Sequence, residues 1–327
     1  MPDTATLTVL RPGLSTTVQD LGRPGYFHLG IPVGGAMDRL ALRAANLLVG
    51  NDEGAACLEA VFIGPQLEFT APARIAVTGA DMPIKLDGVE QPGWTALAVK
   101  AGQVLSFDYL KSGARIIIAV AGGIDVPLAL GSRSTYPIGA LGGFKGRAIA
   151  AGDELPVGAA ASGKAGASVP EALRRKPGHP AELRVLPGLY WHRILPESQQ
   201  SFFADQWKVA PEADRMGYRF RGGQALQFVE REQPFGAGSD PSNIVDSCYP
   251  YGSIQVPGGK EPIILHRDAV SGGGYFMVGT VISADMDLIG QLQPNMPTRF
   301  VEIDMDGALA ARADRKALLQ KIRAALA

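Results

Sequence analysis

Residues 114–135 read "ARIIIAVAGGIDVPLALGSRST". The first eight are aliphatic or β-branched apart from Arg115, and they stop at paired glycines. A run of that length bounded by turn residues is a buried strand. Beyond it comes a loop in which Asp125, Pro127 and two more turn-forming stretches lead to Arg133, flanked by Ser132, Ser134 and Thr135. Such a loop at a strand end can hold a phosphate, stabilise an oxyanion, or simply turn the chain. The choice depends on the rest of the sequence.

The strand signature recurs along the chain. "TLTVLRPG", "RIAVTG", "TALAVKAG", "VLSFDYL", "LRVLPG", "ALQFVERE", "GSIQVPGG", "PIILHRD", "YFMVGTVIS" and "TRFVEID" are all short apolar runs closed by turn residues. The chain has 41 glycines and 24 prolines in 327 residues, above the ordinary usage of about 7% and 5%. Strands at this spacing, with few helices between them, predict a barrel or sandwich rather than alternating β–α units. Two helices interrupt the pattern. In "AMDRLALRAANLLVGND", Met37, Leu40, Ala41, Ala44, Leu47 and Leu48 fall three and four apart, and Gly50 is a natural stop. At the end of the chain, "DGALAARADRKALLQKIRAALA" offers Asp306 as an N-cap, with Leu309, Leu318, Leu319, Ile322 and Leu326 as its apolar positions. Between the strand-rich halves, residues 159–182 lack any lasting period. We therefore expect an N-terminal domain over 1–158, a linker over 159–182 and a C-terminal domain with the final helix over 183–327.

Net charge is −1 and hydrophobic content 46%. A folded core is expected, and a nucleic-acid partner is not, because no basic field is available for a phosphate backbone. Cys57 and Cys248 are far apart and read as free thiols of a reducing compartment. The N-terminus lacks the pattern of a signal peptide, and no apolar run reaches membrane-spanning length, so a cytoplasmic protein without a membrane partner is expected.

Most familiar site patterns fail. "GAAASGKA" at 158–165 fits G-x-x-x-x-G-K but ends on Ala165, where a magnesium-binding hydroxyl is needed, and Pro170 follows closely. The four histidines have no metal-ligand spacing, so no metal is expected. No nucleophile elbow and no dinucleotide fingerprint are present. What remains are glycine-rich turns bearing charged and hydroxylated residues: 16–38, 122–135, 240–257 and 266–276. Their glycine N–H groups could form an anion nest, and an arginine could clamp a carboxylate or phosphate.

These stretches resemble one family, known as the 5-oxoprolinase C subunit or KipA, also as allophanate hydrolase subunit 2 or biotin-dependent carboxyltransferase. The resemblance is carried by "TTVQDLGRPGY", "GAMDRLALRAANLLVGND", "AVAGGIDVP", "LGSRSTY", "LGGFKGRA", "DRMGYR", "GSIQVPGGKEPIIL" and "TVISAD". It implies a mainly β protein of two cyclophilin-like β-barrel domains with a few helices. It also implies a partner, the KipI-like B subunit, and, in the lactam-opening enzyme, an A subunit too. Together those subunits open 5-oxoproline with ATP. The alternatives it implies are the carboxyltransferase component of a urea-type carboxylase, with biotin supplied in trans on a carrier, and a non-catalytic KipA-like binder of a KipI-like inhibitor. The chain departs from the family at "DAVSGGGY", where the family often has two threonines before Gly-Gly-Tyr, and "DPSNIVD" is closer to the urea carboxylase branch. No Met-Lys-Met site is present for covalent biotin, and no sound ATP loop. The chain is therefore expected to be inactive alone and to bind no cofactor covalently.

Both reactions act on a planar amide or urea-like carbonyl and build negative charge on oxygen. On that basis Arg133 is expected to clamp the anionic end of a small substrate, with Ser134 and Thr135 as donors. Asp268 is expected to accept the substrate's N–H and act as general base, or else merely to cap its turn, while Asn243 fixes the carbonyl. Arg23, Asp38, Gln255, Ser271, Gly273, Gly274 and Tyr275 complete the expected substrate-binding set.

Overall fold

A computed structural model describes residues 5–327 apart from 161, 162 and 164. The chain divides into two compact units. One holds the chain up to Pro24, Gly34–Arg175 and Ala317–Ala327; the other holds Gly25–Val33 and Lys176–Lys316.

In the first unit the strand Ser112–Val120 is buried because both of its faces are covered. It lies in a five-stranded sheet of order Thr16–Gln19, Cys57–Val61, Ser112–Val120, Ala73–Asp81, Ala96–Val99, antiparallel throughout. Alternate residues Ile116, Ile118 and Val120 pack with Leu7, Val9, Leu67, Phe69 and Leu105 of a second, six-stranded sheet. Ile117, Ala119 and Ala121 point the other way, into the apolar face of the helix Arg39–Leu48. The period-2 alternation of a strand thus serves two cores, which is why the run reads as continuously apolar. Asp38 caps that helix, accepting from the Ala41 N–H at 2.9 Å, and Gly50 closes it at φ 73°.

The second unit contains a closed barrel. Its order is Ala181–Pro187, Met277–Val281, Ser253–Gln255, Ile263–Leu265, Gly217–Arg221, Trp207–Val209 and Pro297–Glu302. The last strand pairs in parallel with the first, and the other neighbours pair antiparallel. Closure removes exposed edges. Inside, Phe300 stacks on Phe202 with centroids 4.8 Å apart and meets Phe220 edge-on at 5.4 Å. The β-rich expectation holds in both units; in the first the strands form two facing sheets, in the second a barrel.

The stretch 159–182 is tied down at several described positions. Ser168 bridges Thr95, Gly166 donates to the Ala96 carbonyl at 2.8 Å, and Val169 is fully buried. Ala161, Ser162 and Lys164, which belong to the G-x-x-x-x-G-K pattern, lie outside the described residues. The final helix runs Met305–Leu326, and its cap is Asp304, not Asp306. The Asp304 carboxylate accepts from the Gly307 N–H at 2.8 Å and its carbonyl from Ala308. Leu309 is exposed, whereas Ala311, Leu319 and Ile322 are buried. No helix of the described residues is long and apolar enough to cross a membrane. Both cysteines are free, Cys57 buried and Cys248 exposed.

Candidate functional site

The expected site residues fall into two groups, one in each unit. In the first unit the loop after Ser112–Val120 is built around Asp20. Its carboxylate accepts from the Ser132 hydroxyl at 2.7 Å, the Arg133 N–H at 2.6 Å, the Gly22 N–H at 2.7 Å and the Ser134 hydroxyl. Thr135 donates its hydroxyl to the Val18 carbonyl at 2.9 Å. Arg23, also fully buried, donates to the carbonyls of Ala129 and Ser134. The Arg133 guanidinium is held by Asp125 at 2.8 Å and the Val126 carbonyl at 2.7 Å. These contacts correct the expectation for the loop. Ser134 and Thr135 have no exposed surface, and their protons are given to protein oxygens, so they cannot donate to a substrate. Arg133 staples its own loop, and Asp38 serves as a helix cap. The network fixes a turn. Its hub, Asp20, was readable only as one more turn carboxylate.

A groove of about 420 Å³ in this unit runs past Phe69, Pro72 and Val120. Thr6 supplies the only polar side chain among its lining residues, so it offers little for catalysis.

The second unit is different. Asp268 is buried, and both its oxygens are engaged by Arg215, at 2.8 Å and 3.0 Å. Two parallel bonds to one guanidinium commit this carboxylate to an ion pair. The general-base expectation for Asp268 is therefore corrected to an ion-pair role. The capping alternative also changes, since the partner is a side chain.

Ser271 and the glycines lead into the strand Gly272–Tyr275, which pairs with Asn243–Cys248 in a two-stranded ribbon. None of the three glycines has positive φ. The backbone is extended, so successive amides point in opposite directions and no convergent nest forms. The glycines serve close approach instead: a Cβ on Gly273 would lie 3.0 Å from the Tyr249 ring. Tyr249, buried beneath the ribbon, donates to the Tyr275 carbonyl at 2.7 Å and accepts from its N–H at 2.8 Å. Burial pushes the Tyr249 hydroxyl above its usual value, against the opposing pull of its bonds to Tyr275 and Gln255. It thus remains a neutral donor that locks the ribbon.

Asn243 stands opposite Tyr275, next to a register shift that re-aims the strand. Its position is set from behind. Ser242, fully buried, bonds Asp240 and receives the Gly258 N–H at 2.9 Å, while Phe276 donates to the Ser242 carbonyl. Among the described residues the half-buried side-chain amide of Asn243 makes no hydrogen bond. Gln255, Gly273 and Tyr275 are thus gathered around Tyr249, and Asn243 faces Tyr275 across the ribbon with its side-chain amide unengaged. Sequence reading missed Tyr249 itself, together with Tyr190, Arg193 and Arg231, which lie in "LYWHR" and "VERE", stretches without a turn signature.

One unit is thus built of two facing sheets, and the other holds a closed barrel and a polar two-stranded ribbon. The chain belongs to the family described as carboxyltransferase domain, subdomain A and B, which it matches over residues 29–302. It is similar to the C subunit of 5-oxoprolinase from Escherichia coli (strain K12), 37% identical over 97% of each chain. It is 32% identical to urea amidolyase of Saccharomyces cerevisiae, covering 97% of this chain and 18% of that protein. The crystal structure of the Kluyveromyces lactis urea carboxylase overlays 98% of this chain with a TM-score of 0.90 at 31% identity, and this chain spans 29% of it.

Proposed function

We propose that the chain is the C subunit of an ATP-dependent 5-oxoprolinase, acting with the A and B subunits to open the lactam. The observation that carries this reading is the likeness to the Escherichia coli protein along 97% of both chains. Attack on a lactam carbonyl places negative charge on its oxygen, which a preorganised N–H donor stabilises. Asn243 supplies that donor, and Tyr249 holds the opposing strand, with Gln255, Gly273, Gly274 and Tyr275 forming the walls.

The loop that resembles a phosphate cradle ends on Ala165, where a magnesium-binding hydroxyl is needed. At its flanks Gly158 donates to the Gly123 carbonyl and, one residue past the loop, Gly166 donates to the Ala96 carbonyl. ATP chemistry is accordingly assigned to a partner.

A second reading, the carboxyltransferase of a urea-type carboxylase, is favoured by the overlay with the Kluyveromyces lactis enzyme. The free amide of Asn243 also suits the planar ureido end of biotin, which would arrive on a carrier and supply the carboxyl group. Co-purification with a KipI-like partner, followed by ATP-dependent assays, separates the readings. Turnover of 5-oxoproline in the presence of the A subunit supports the first. Turnover of urea or guanidine that requires a biotinylated carrier supports the second, and binding to the KipI-like partner without any turnover supports a regulatory role.

A further inference from the structure

Two arginines beside the ribbon have no role in lactam opening as proposed. Ile194 bridges Phe228, Leu195 donates to the Gln227 carbonyl, and Val229 donates to the Arg193 carbonyl, each N–H···O being 2.9 Å. This short ladder sets Arg193 alongside residues 227–229, and Arg231 follows two positions later. The Arg193 guanidinium lies 4.4 Å above the ring of Tyr190. Its Nη1 is buried and has no hydrogen-bond partner among the described residues. Arg231 donates through Nη2 to the Asn243 carbonyl at 3.0 Å. Among the described residues no carboxylate pairs with either arginine. Burial, and then the charge of Arg193 nearby, lower the Arg231 guanidinium from its ordinary value.

Two like charges brought together, one with a buried unmet donor, are unfavourable unless an anion completes them. The rings and ladder around them restrict their freedom, and a guanidinium fork matches a carboxylate with two parallel bonds. We propose that Arg193 and Arg231 are the receptor for the carboxylate of a small cyclic-amide substrate whose carbonyl is held by Asn243. This rests on the assignment of Asn243 as the carbonyl's donor. In 5-oxoproline the acid sits on the ring carbon next to the lactam nitrogen, so acid and carbonyl are only a few bonds apart. The Arg231–Asn243 bond couples the two recognition points over such a span. Neutral urea and guanidinium ions would leave the arginine pair unsatisfied.

The test is calorimetric titration of the full chain, alone and co-purified with its KipI-like partner. Three probes are used: 5-oxoproline, 2-pyrrolidinone (the lactam without the acid) and cyclopentanecarboxylate (the acid without the lactam). The two acids should bind at least tenfold more tightly than 2-pyrrolidinone. Arg193→Gln and Arg231→Gln should abolish that difference, and Arg193→Lys should keep part of it, since charge remains but the fork is lost. Thermal melting of each variant checks that it folds, and the acids should raise the melting temperature of the parent chain but not of the glutamine variants. Equal binding of both acids supports the carboxylate receptor while counting against the lactam reading. Binding of 2-pyrrolidinone as tight as 5-oxoproline, unaltered in the variants, overturns the receptor while leaving the lactam reading standing. Failure of both acids to bind in either preparation also overturns it.

Discussion

Asn243 and Asp268 exchange the weights that sequence alone would give them. Asn243 is held by its backbone, through Arg231 and the Ser242 network, and keeps its side-chain amide unengaged. Asn243→Ala should lower turnover of the assembled enzyme by roughly 10²-fold, the usual cost of losing one oxyanion donor, with an unchanged melting curve. Asp268 carries the opposite signature, buried and bound by Arg215 through both oxygens. Removing one partner of a buried ion pair strands the other, so Asp268→Asn should cost about 3 kcal/mol of stability, read by urea denaturation. Any activity loss should then track the unfolded fraction. A stable Asp268→Asn chain with turnover reduced a hundredfold would restore the general base. Turn composition pointed to Asn243, Gln255 and Tyr275, because glycine, hydroxyl and amide groups cluster where strands end. It misassigned Ser134, Thr135 and Asp268, because a sequence does not show whether a polar group already has a partner. All three hydrogen bonds that occupy the side chains of Ser134 and Thr135 reach back over a hundred positions, to Val18 and Asp20.

Elements in this chain are spaced by glycines whose reasons differ. Gly122 ends the strand that decides the first unit's fold, at φ 95°, and an added Cβ would come within 2.0 Å of the Gly158 carbonyl oxygen. Gly122→Ala must therefore move backbone as well as strain it, and it should cost at least ~2 kcal/mol, measured as a lowered denaturation midpoint. Gly272–Gly274 look similar in sequence but are extended; Gly273 lets Tyr249 lie close beneath the ribbon, while Gly272 and Gly274 face the backbone of the paired strand. The turn before Glu154–Pro156 depends on charge instead. Asp153 takes two bonds from Arg147, at 2.7 Å and 2.8 Å, and one from the Ala150 N–H. Those Arg147 bonds, more than its partial burial opposes, hold the Asp153 carboxyl below the usual carboxylate range. A lowered folded-state value means stabilisation that is complete above the unfolded value and lost as pH falls through the folded one. Stability of the parent chain should accordingly drop below about pH 4, and Asp153→Asn should flatten that part of the profile. Identical profiles for the two chains would show that the pair contributes nothing. The register of the ribbon and the Asp304 cap were beyond sequence reading for a plainer reason. Asp304 and Asp306 are equally good caps in isolation, and only the folded chain gives the Gly307 N–H to Asp304.

At the scale of the whole molecule, the alternation of short apolar runs with glycine and proline made a β-rich protein legible. The closing step of the barrel was not, since Ala181–Pro187 pairs in parallel with Pro297–Glu302 across most of the second unit's length. Nothing local encodes a pairing of such sequence separation. The same gap between local and global governs activity. The 158–165 loop carries Ala165 where a magnesium-binding hydroxyl is needed, and the proposed site offers a donor and anion-binding arginines but nothing that activates a lactam with ATP. Opening a lactam needs all of these together. The purified chain should therefore show no ATP hydrolysis and no turnover of 5-oxoproline, urea or guanidine, while still binding carboxylates at Arg193 and Arg231. Adding the A and B subunits should bring 5-oxoproline turnover, and Asn243→Ala in this chain should depress it without weakening the assembly, as judged by co-elution. ATP hydrolysis by the chain alone, abolished by Lys164→Ala, would reverse the assignment and place a nucleotide on the 158–165 loop.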